Sequence, residues 1–227
     1  MTAKNRREDQ HARLRNEILT AASAAFADEG YEQLSMRKLA SQLGCAPGTL
    51  YLYFRDKDEL LRAVVEDSFA ELLRTLQTLP PESDPLKWLK AKMRAYIEFG
   101  LRNPNHYKCA FVLPSVRKDK EPYRPHPAFM ELVTAVRAYA QQGQIAEPEV
   151  ELASQVLWAC IHGLTSLLIA RPKFPWMQRE KLIDELIETA TSGVARQGCC
   201  VETGAPSRKQ RSSDKGSHNG KPRSSTR

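Results

Sequence analysis

Apolar residues recur at intervals of three and four along almost the whole chain, and no stretch sustains the period-2 alternation of a half-buried strand. The pattern predicts an all-helical protein. A first helix is expected over about 13–29, with Leu14, Ile18, Ala22, Ala25 and Phe26 inward and Gly30 as its stop. Two short helices follow near 35–43 and 47–53. Asp56 with Glu59 three residues on forms a capping box that opens a long helix, roughly 34 Å from end to end, carrying Leu60, Val64, Phe69, Leu72, Leu73 and Leu76 up to Pro80-Pro81. Asp84-Pro85 and Asn103-Pro104 each read as a cap followed by a first-turn proline, opening helices of about 86–102 and 104–113. The proline-rich, charged stretch 114–127 reads as a loop. Further helices are predicted over 128–142, 148–170 and 177–196.

Composition then limits the setting. With 227 residues, 41% apolar and 27% charged, the chain can bury a core of its own. Its longest apolar run, Val156 to Ala170, is broken by His162 and falls short of a membrane span, and residues 1–15 lack the apolar segment of a secretory signal. A soluble cytoplasmic protein with no membrane partner is expected. The five cysteines have no zinc-site or disulfide spacing, so neither metal nor cofactor is expected. Of the net charge of +7, a share of +5 lies in residues 201–227, whereas the first 62 residues carry only +1. Any case for DNA binding therefore rests on individual residues, not on bulk charge.

Such a case exists around Gly44. Ala40 stands where two helices must approach closely, Gly44 four later where a turn needs a permissive backbone, and Leu50 six after that to seal the second helix on the first. This is the frame of a helix-turn-helix. If Leu50 and Phe54 mark the buried stripe, the 100° helical step puts Gly48, Thr49 and Leu52 outermost with Tyr51 and Tyr53 on the flanks. That surface has no charge, offers hydroxyls to phosphate oxygens and exposes Leu52 to a thymine methyl. Tyr51 and Tyr53 are equally readable as half-buried anchors to the long helix. Arg37 and Lys38 in one first helical turn and Lys57 in another sit where the helix dipole disfavours cations, a penalty that a bound phosphate reverses. Ser35 as N-cap adds a hydroxyl and free N–H groups at the same end. Lys4, Arg6, Arg7, Arg13 and Arg15 form a basic arm.

The run Ser35-Met36-Arg37-Lys38-Leu39-Ala40, then Gly44, then Gly48-Thr49-Leu50-Tyr51-Leu52-Tyr53-Phe54 and Lys57-Asp58-Glu59-Leu60-Leu61 resembles the N-terminal domain of TetR-family transcriptional regulators. Ala24-Ala25-Phe26 and Gly30-Tyr31 fit as well. The resemblance implies phosphate contacts by Thr49, Tyr51, Tyr53 and Lys57, base-proximal roles for Ala46, Pro47 and Gly48, and backbone or side-chain contacts by Ser35, Met36 and Arg37. Cys45, Ala46 and Pro47 stand where many members carry a small hydroxyl residue. The C-terminal half is similar to the family's effector domain of the Trp-His-Gly type, here Trp158, His162 and Gly163.

These readings give an all-α chain with a flexible basic arm (1–12), a three-helix helix-turn-helix domain (13–56), a larger helical ligand-binding and dimerisation domain (57–196) and a disordered basic tail (197–227). Trp88, Tyr96, Phe99, Tyr107, Cys109, Phe111, Phe129, Trp158 and His162 are the candidate wall of a cavity for a hydrophobic or amphipathic small-molecule effector. His162 is also readable as a satisfied core histidine, and Gly163 suggests close packing of another backbone. Wide apolar stripes on the last two helices predict a homodimer with recognition helices ~34 Å apart on a two-fold-symmetric double-stranded DNA operator. The expected function is a ligand-released repressor, the long helix acting as a rigid lever. No nucleophile, base and orienting group cluster in the sequence, so no catalytic residue is assigned. An enzyme or small-molecule carrier, or a helical protein-binding adaptor, are the alternatives.

Overall fold

The computed structural model describes residues 3–111, 125–146 and 149–197. Among these there are nine helices and no strand: α1 (Ala3–Glu29), α2 (Met36–Gln42), α3 (Pro47–Tyr51), α4 (Lys57–Gln77), α5 (Pro85–Arg102), α6 (Pro104–Phe111), α7 (Pro127–Ala140), α8 (Val150–Ala170) and α9 (Arg179–Gln197). Side-chain caps start three of them where the sequence places them. Ser35 Oγ accepts from Lys38 N, Asp56 from Glu59 N, and Asp84 from Leu86 N and Lys87 N. Glu59 closes its box one residue early, on Arg55 N at 2.6 Å. Asn103 does not cap α6; its side-chain amide turns back to the Phe99 carbonyl and finishes α5.

The largest departure from expectation is α1, which begins at Ala3, so the segment read as a flexible arm is helical. Residues 3–15 contain no Gly or Pro and are mostly good helix formers, but almost no apolar residue marks their period. The loop expected over 114–127 falls largely outside the described residues, as do Pro148 and the tail beyond 197.

Two hydrophobic cores form. The first gathers Ile18, Leu19, Ala22 and Phe26 of α1 with Leu34, Leu39, Ala40, Leu50 and Phe54, closed by Leu60, Leu61 and Val64 of α4 and by Cys109 of α6. The second gathers Leu72 and Leu76 of α4 with the inward faces of α5, α7, α8 and α9. Helix α4 therefore belongs to both, its first turns to one and its last to the other.

One broad face has no partner among the described residues. On α8 the exposed or half-exposed positions Leu152, Val156, Ala159, Gly163 and Leu167 make an apolar stripe, and Leu182, Leu186 and Ala190 continue it on α9. Among the described residues, nothing outside its own helical turn lies within 4 Å of a β-carbon built on Gly163, so the close backbone approach expected there is not made by them. Among the described residues α8 is also the one helix long and apolar enough to cross a membrane, contrary to the expectation from its central histidine. Its inner side packs on α5, α7 and α9.

Candidate DNA-contacting surface and ligand cavity

The turn between α2 and α3 is built as its residues require. Gly44 adopts φ +65°, a left-handed conformation that a side chain disfavours, and Cys45 N donates to Ala40 O at 3.0 Å to close the corner. Leu50 is fully buried and Phe54 nearly so, which fixes the rotation of α3. Ala46, Pro47 and Gly48 are exposed, Thr49 is half-buried, Tyr51 is 52% exposed and Leu52 80% exposed. Among the described residues, nothing outside its own helical turn lies within 4 Å of a β-carbon built on Gly48. An uncharged, partly apolar surface of this size on a five-residue helix is poor dress for bulk water. Tyr53 differs from Tyr51: it is half-buried against the first core, with its ring 4.4 Å from that of His11 on the extended α1.

Around this surface the expected phosphate-binding groups divide. Ser35 and Arg37 are exposed at the start of α2. Met36 is 6% exposed, on the same inward stripe as Leu39 and Ala40, so its side chain seals the core and only its backbone is left for a contact with DNA. Lys38 is ion-paired to Glu29 at 2.7 Å. Lys57 donates to the Tyr31 carbonyl at 2.9 Å with its ammonium 4.0 Å from the Tyr31 ring centroid, and the Tyr31 hydroxyl donates to Asp58. That bond to a carboxylate pushes the phenol up to about 12, with burial adding to it. Lys57 thus stitches α4 to the loop after α1 before it meets any ligand.

Below the first core lies a cavity of about 1000 Å³. Tyr96, Cys109, Phe111, Phe129 and Trp158 line it, as the aromatic pattern suggests. Trp88, Phe99, Tyr107 and His162 do not. Trp88 is buried with its indole N–H on the Leu79 carbonyl, and Phe99 lies in the second core. Tyr107 and His162 sit behind the wall in a hydrogen-bonded chain. Trp158 Nε1 donates to the Tyr96 hydroxyl at 3.4 Å, Tyr96 and Tyr107 hydroxyls lie 3.4 Å apart, and Tyr107 meets His162 Nδ1 at 2.6 Å. Ser166 Oγ lies 3.4 Å from His162 Nε2, which suits a neutral imidazole accepting at Nδ1. Burial lowers the His162 pKa from its ordinary 6.5 and raises that of both tyrosines. His162 is therefore a satisfied wall-backing residue.

Sequence reasoning missed the polar residues of this cavity. Arg62, Glu66, Lys92, His126, Glu151 and Gln155 also line it, and so does α4 over much of its length through Leu61, Val65, Phe69, Leu72 and Leu76. Lys92 is only 2% exposed, and its ammonium is fully engaged by the Leu76 carbonyl and Glu131, both at 2.7 Å. His126 caps α7 by accepting from Ala128 N at Nδ1 and stacks on Phe69, and burial lowers its pKa from 6.5. Cys109 is pushed up to about 11 by burial, so its thiol stays protonated and weakly polar. Nearby, Ser68, His106 and Glu71 have the composition of a hydrolytic triad. Ser68 is buried and its proton goes to the Val64 carbonyl at 2.7 Å, so the group packs α4 on α6.

Comparison with known proteins assigns both halves. Residues 18–64 match the bacterial regulatory proteins of the TetR family, and residues 89–190 match the tetracyclin repressor-like C-terminal domain. An HTH-type transcriptional regulator of Haemophilus influenzae is 29% identical over 150 residues, covering 64% of this chain and 75% of that protein. The fatty acid metabolism regulator protein of Bacillus subtilis is 33% identical over 61 residues, 27% of this chain and 31% of that one. A TetR-family regulatory protein from Rhodococcus superposes with a TM-score of 0.64 at 18% identity, covering 79% of this chain and 96% of that one. A TetR-family regulator crystallised from H. influenzae gives 0.59 at 24%, covering 80% and 96%.

Proposed function

The chain belongs to the TetR family of bacterial regulatory proteins, and we propose on that premise how this member works. It is a ligand-responsive, DNA-binding transcriptional regulator, acting in the cytoplasm as a repressor that a hydrophobic or amphipathic effector releases from its operator. One observation carries the reading. A helix anchored by the buried Leu50 and Phe54 presents Gly48, Tyr51 and Leu52 outward, and α4, whose first turns close the same hydrophobic core, also forms one wall of a cavity of about 1000 Å³.

In this reading residues 13–56 form the DNA-binding unit and 57–196 the effector and dimerisation unit. Ser35, Arg37, Ala46, Pro47, Gly48, Thr49, Tyr51 and Leu52 face DNA. Tyr53 and Lys57 lend a hydroxyl and a charge to the flanking phosphates while holding the domain together. Tyr96, Cys109, Phe111, Phe129 and Trp158 face the effector. The unpartnered α8 and α9 stripe pairs with that of a second copy as a four-helix bundle, in which Gly163 allows close approach across the two-fold axis. A gel shift on the DNA flanking the protein's own gene tests the reading, with footprinting to map the site. The expected result is protection of an inverted repeat whose half-sites lie about one helical turn apart. Binding with no sequence preference overturns it.

A further inference from the structure

The cavity and the DNA-binding unit share a wall that carries an unused cation. A second, polar cleft of about 280 Å³ lies beside the end of the recognition helix, between Arg15 of α1, Tyr53 and Arg55, and Glu59, Arg62 and Glu66 of α4. Arg62 and Glu66 line both spaces. Most charges there are already committed. Arg55 pairs with Asp56 at 3.0 Å, Asp56 also accepts from Glu59 N, and the Glu59 carboxylate takes Arg55 N. Arg15 has its guanidinium 5.5 Å from the Phe54 ring. Arg62 is half-buried and makes no hydrogen bond or ion pair among the described residues, although Asp56 feels its charge. Against Arg15 and Arg62 stands one uncommitted acid, the exposed Glu66. The cavity's other cation, Lys92, is spent on Leu76 and Glu131.

A half-buried guanidinium with no partner among the described residues, at the edge of an apolar cavity, is a seat for an anionic group. We infer that the effector is an amphipathic anion, an alkyl chain ending in a carboxylate or phosphate. Its tail lies among Val65, Phe69, Phe111, Phe129 and Trp158, and its headgroup sits on Arg62 in the cleft shared with Arg15. The headgroup carries the release signal, because the cleft abuts the Tyr53–Arg55 segment that joins the recognition helix to α4. This rests on the reading of the cavity as the effector site.

The test is calorimetric titration of the full chain with dodecanoate, dodecyl phosphate and 1-dodecanol below micelle formation, paired with operator affinity measured with and without each compound. At least one anion should bind roughly tenfold or more tightly than the alcohol, the strength of a charge-assisted hydrogen bond, and the tighter of the two identifies the headgroup. Arg62→Gln should bring the anion-to-alcohol ratio close to one, and Arg62→Lys should restore part of it. Only the anion should lower operator affinity, read as a ratio within each variant so that changes in unliganded binding cancel. Circular dichroism establishes that each variant folds, and Arg15→Gln, which should also lower the ratio, gives a second reading if Arg62→Gln does not. A wild-type ratio near one, or one unmoved by either substitution, overturns the anion assignment while leaving the cavity reading intact. Failure of all three compounds to bind overturns both.

Discussion

Gly100 on α5 faces the crossing of α6 and α8. A methyl group there would stand 2.4 Å from Thr165 Cγ2 and 2.8 and 3.0 Å from two carbons of the Tyr107 ring. Neither neighbour can step aside. Thr165 is fully buried with its hydroxyl on the Ile161 carbonyl at 2.7 Å, and Tyr107 is 1% exposed with its hydroxyl on His162. Relief of the contact needs the helices to part, which places Gly100→Ala in the upper half of the ~1–3 kcal/mol range for overpacking. Alanine returns about 1 kcal/mol of helix propensity. The net expectation is a loss of about 1–2 kcal/mol. Urea unfolding followed by circular dichroism measures it, at one fixed protomer concentration because dissociation of the proposed dimer contributes to the midpoint. The same displacement pulls Tyr107 from His162, so ligand affinity should fall with stability. An alanine variant as stable as the parent would mean that α5, α6 and α8 do not meet as described.

Three further outcomes are expected. Tyr51→Phe should weaken operator binding by about 2- to 10-fold, the worth of one hydrogen bond, with no shift in thermal midpoint because the side chain is half exposed; unchanged affinity in a gel shift removes Tyr51 from the interface. Leu167→Glu should leave the protein monomeric by sedimentation at micromolar concentration, since it sets a charge in the unpartnered α8 stripe; a persistent dimer moves the interface elsewhere. Stability should decline as pH falls below about 6.5, because His126 and His162 have folded pKa values lowered by burial while the unfolded chain takes up protons near the ordinary value. The contribution is complete above 6.5 and is lost as pH falls through the folded values, so thermal midpoints flat from pH 7.5 to 5 would contradict the neutral, buried assignment.

The sequence displays its helices where local chemistry marks them and hides what depends on tertiary direction. Ser35, Asp56 and Asp84 announce helix starts through side-chain caps, and Ala40, Gly44 and Leu50 announce the turn, because each is a short-range requirement. The start of α1 is silent, since a helix of polar residues whose described side chains are exposed all round has no apolar period to read. Aromatic residues at helical spacing say that a face is buried, not whether it meets a cavity or another helix. So Phe99 and Tyr107 looked equivalent to Tyr96 and Phe111. Lys92 did leave a trace. It stands four residues from both Trp88 and Tyr96, a cation inside an apolar stripe, and such a residue must find partners within the core.

The long helix prompts a picture of a lever carrying a small displacement across more than 30 Å, and the packing offers a shorter route beside it. At 21 residues α4 spans about 32 Å, yet the cavity already begins at Leu61 and Arg62 in its second turn. Leu61 is shared, lining the cavity and filling the first core against the recognition-helix anchors. Cys109 is shared as well, its thiol on the Ser23 carbonyl of α1 at 3.5 Å and its flank in the cavity wall. In the proposed reading an effector would press on the first core directly, through side chains that belong to both compartments. Coupling of ~1–3 kcal/mol, which changes DNA affinity about 5- to 150-fold, is within what repacking one or two such side chains supplies. Specificity of response then resides in whether a ligand engages the shared wall. A molecule that fills the cavity without touching Leu61 or Cys109 would gain affinity without favouring either arrangement of the recognition helices, and affinity without that difference shifts nothing.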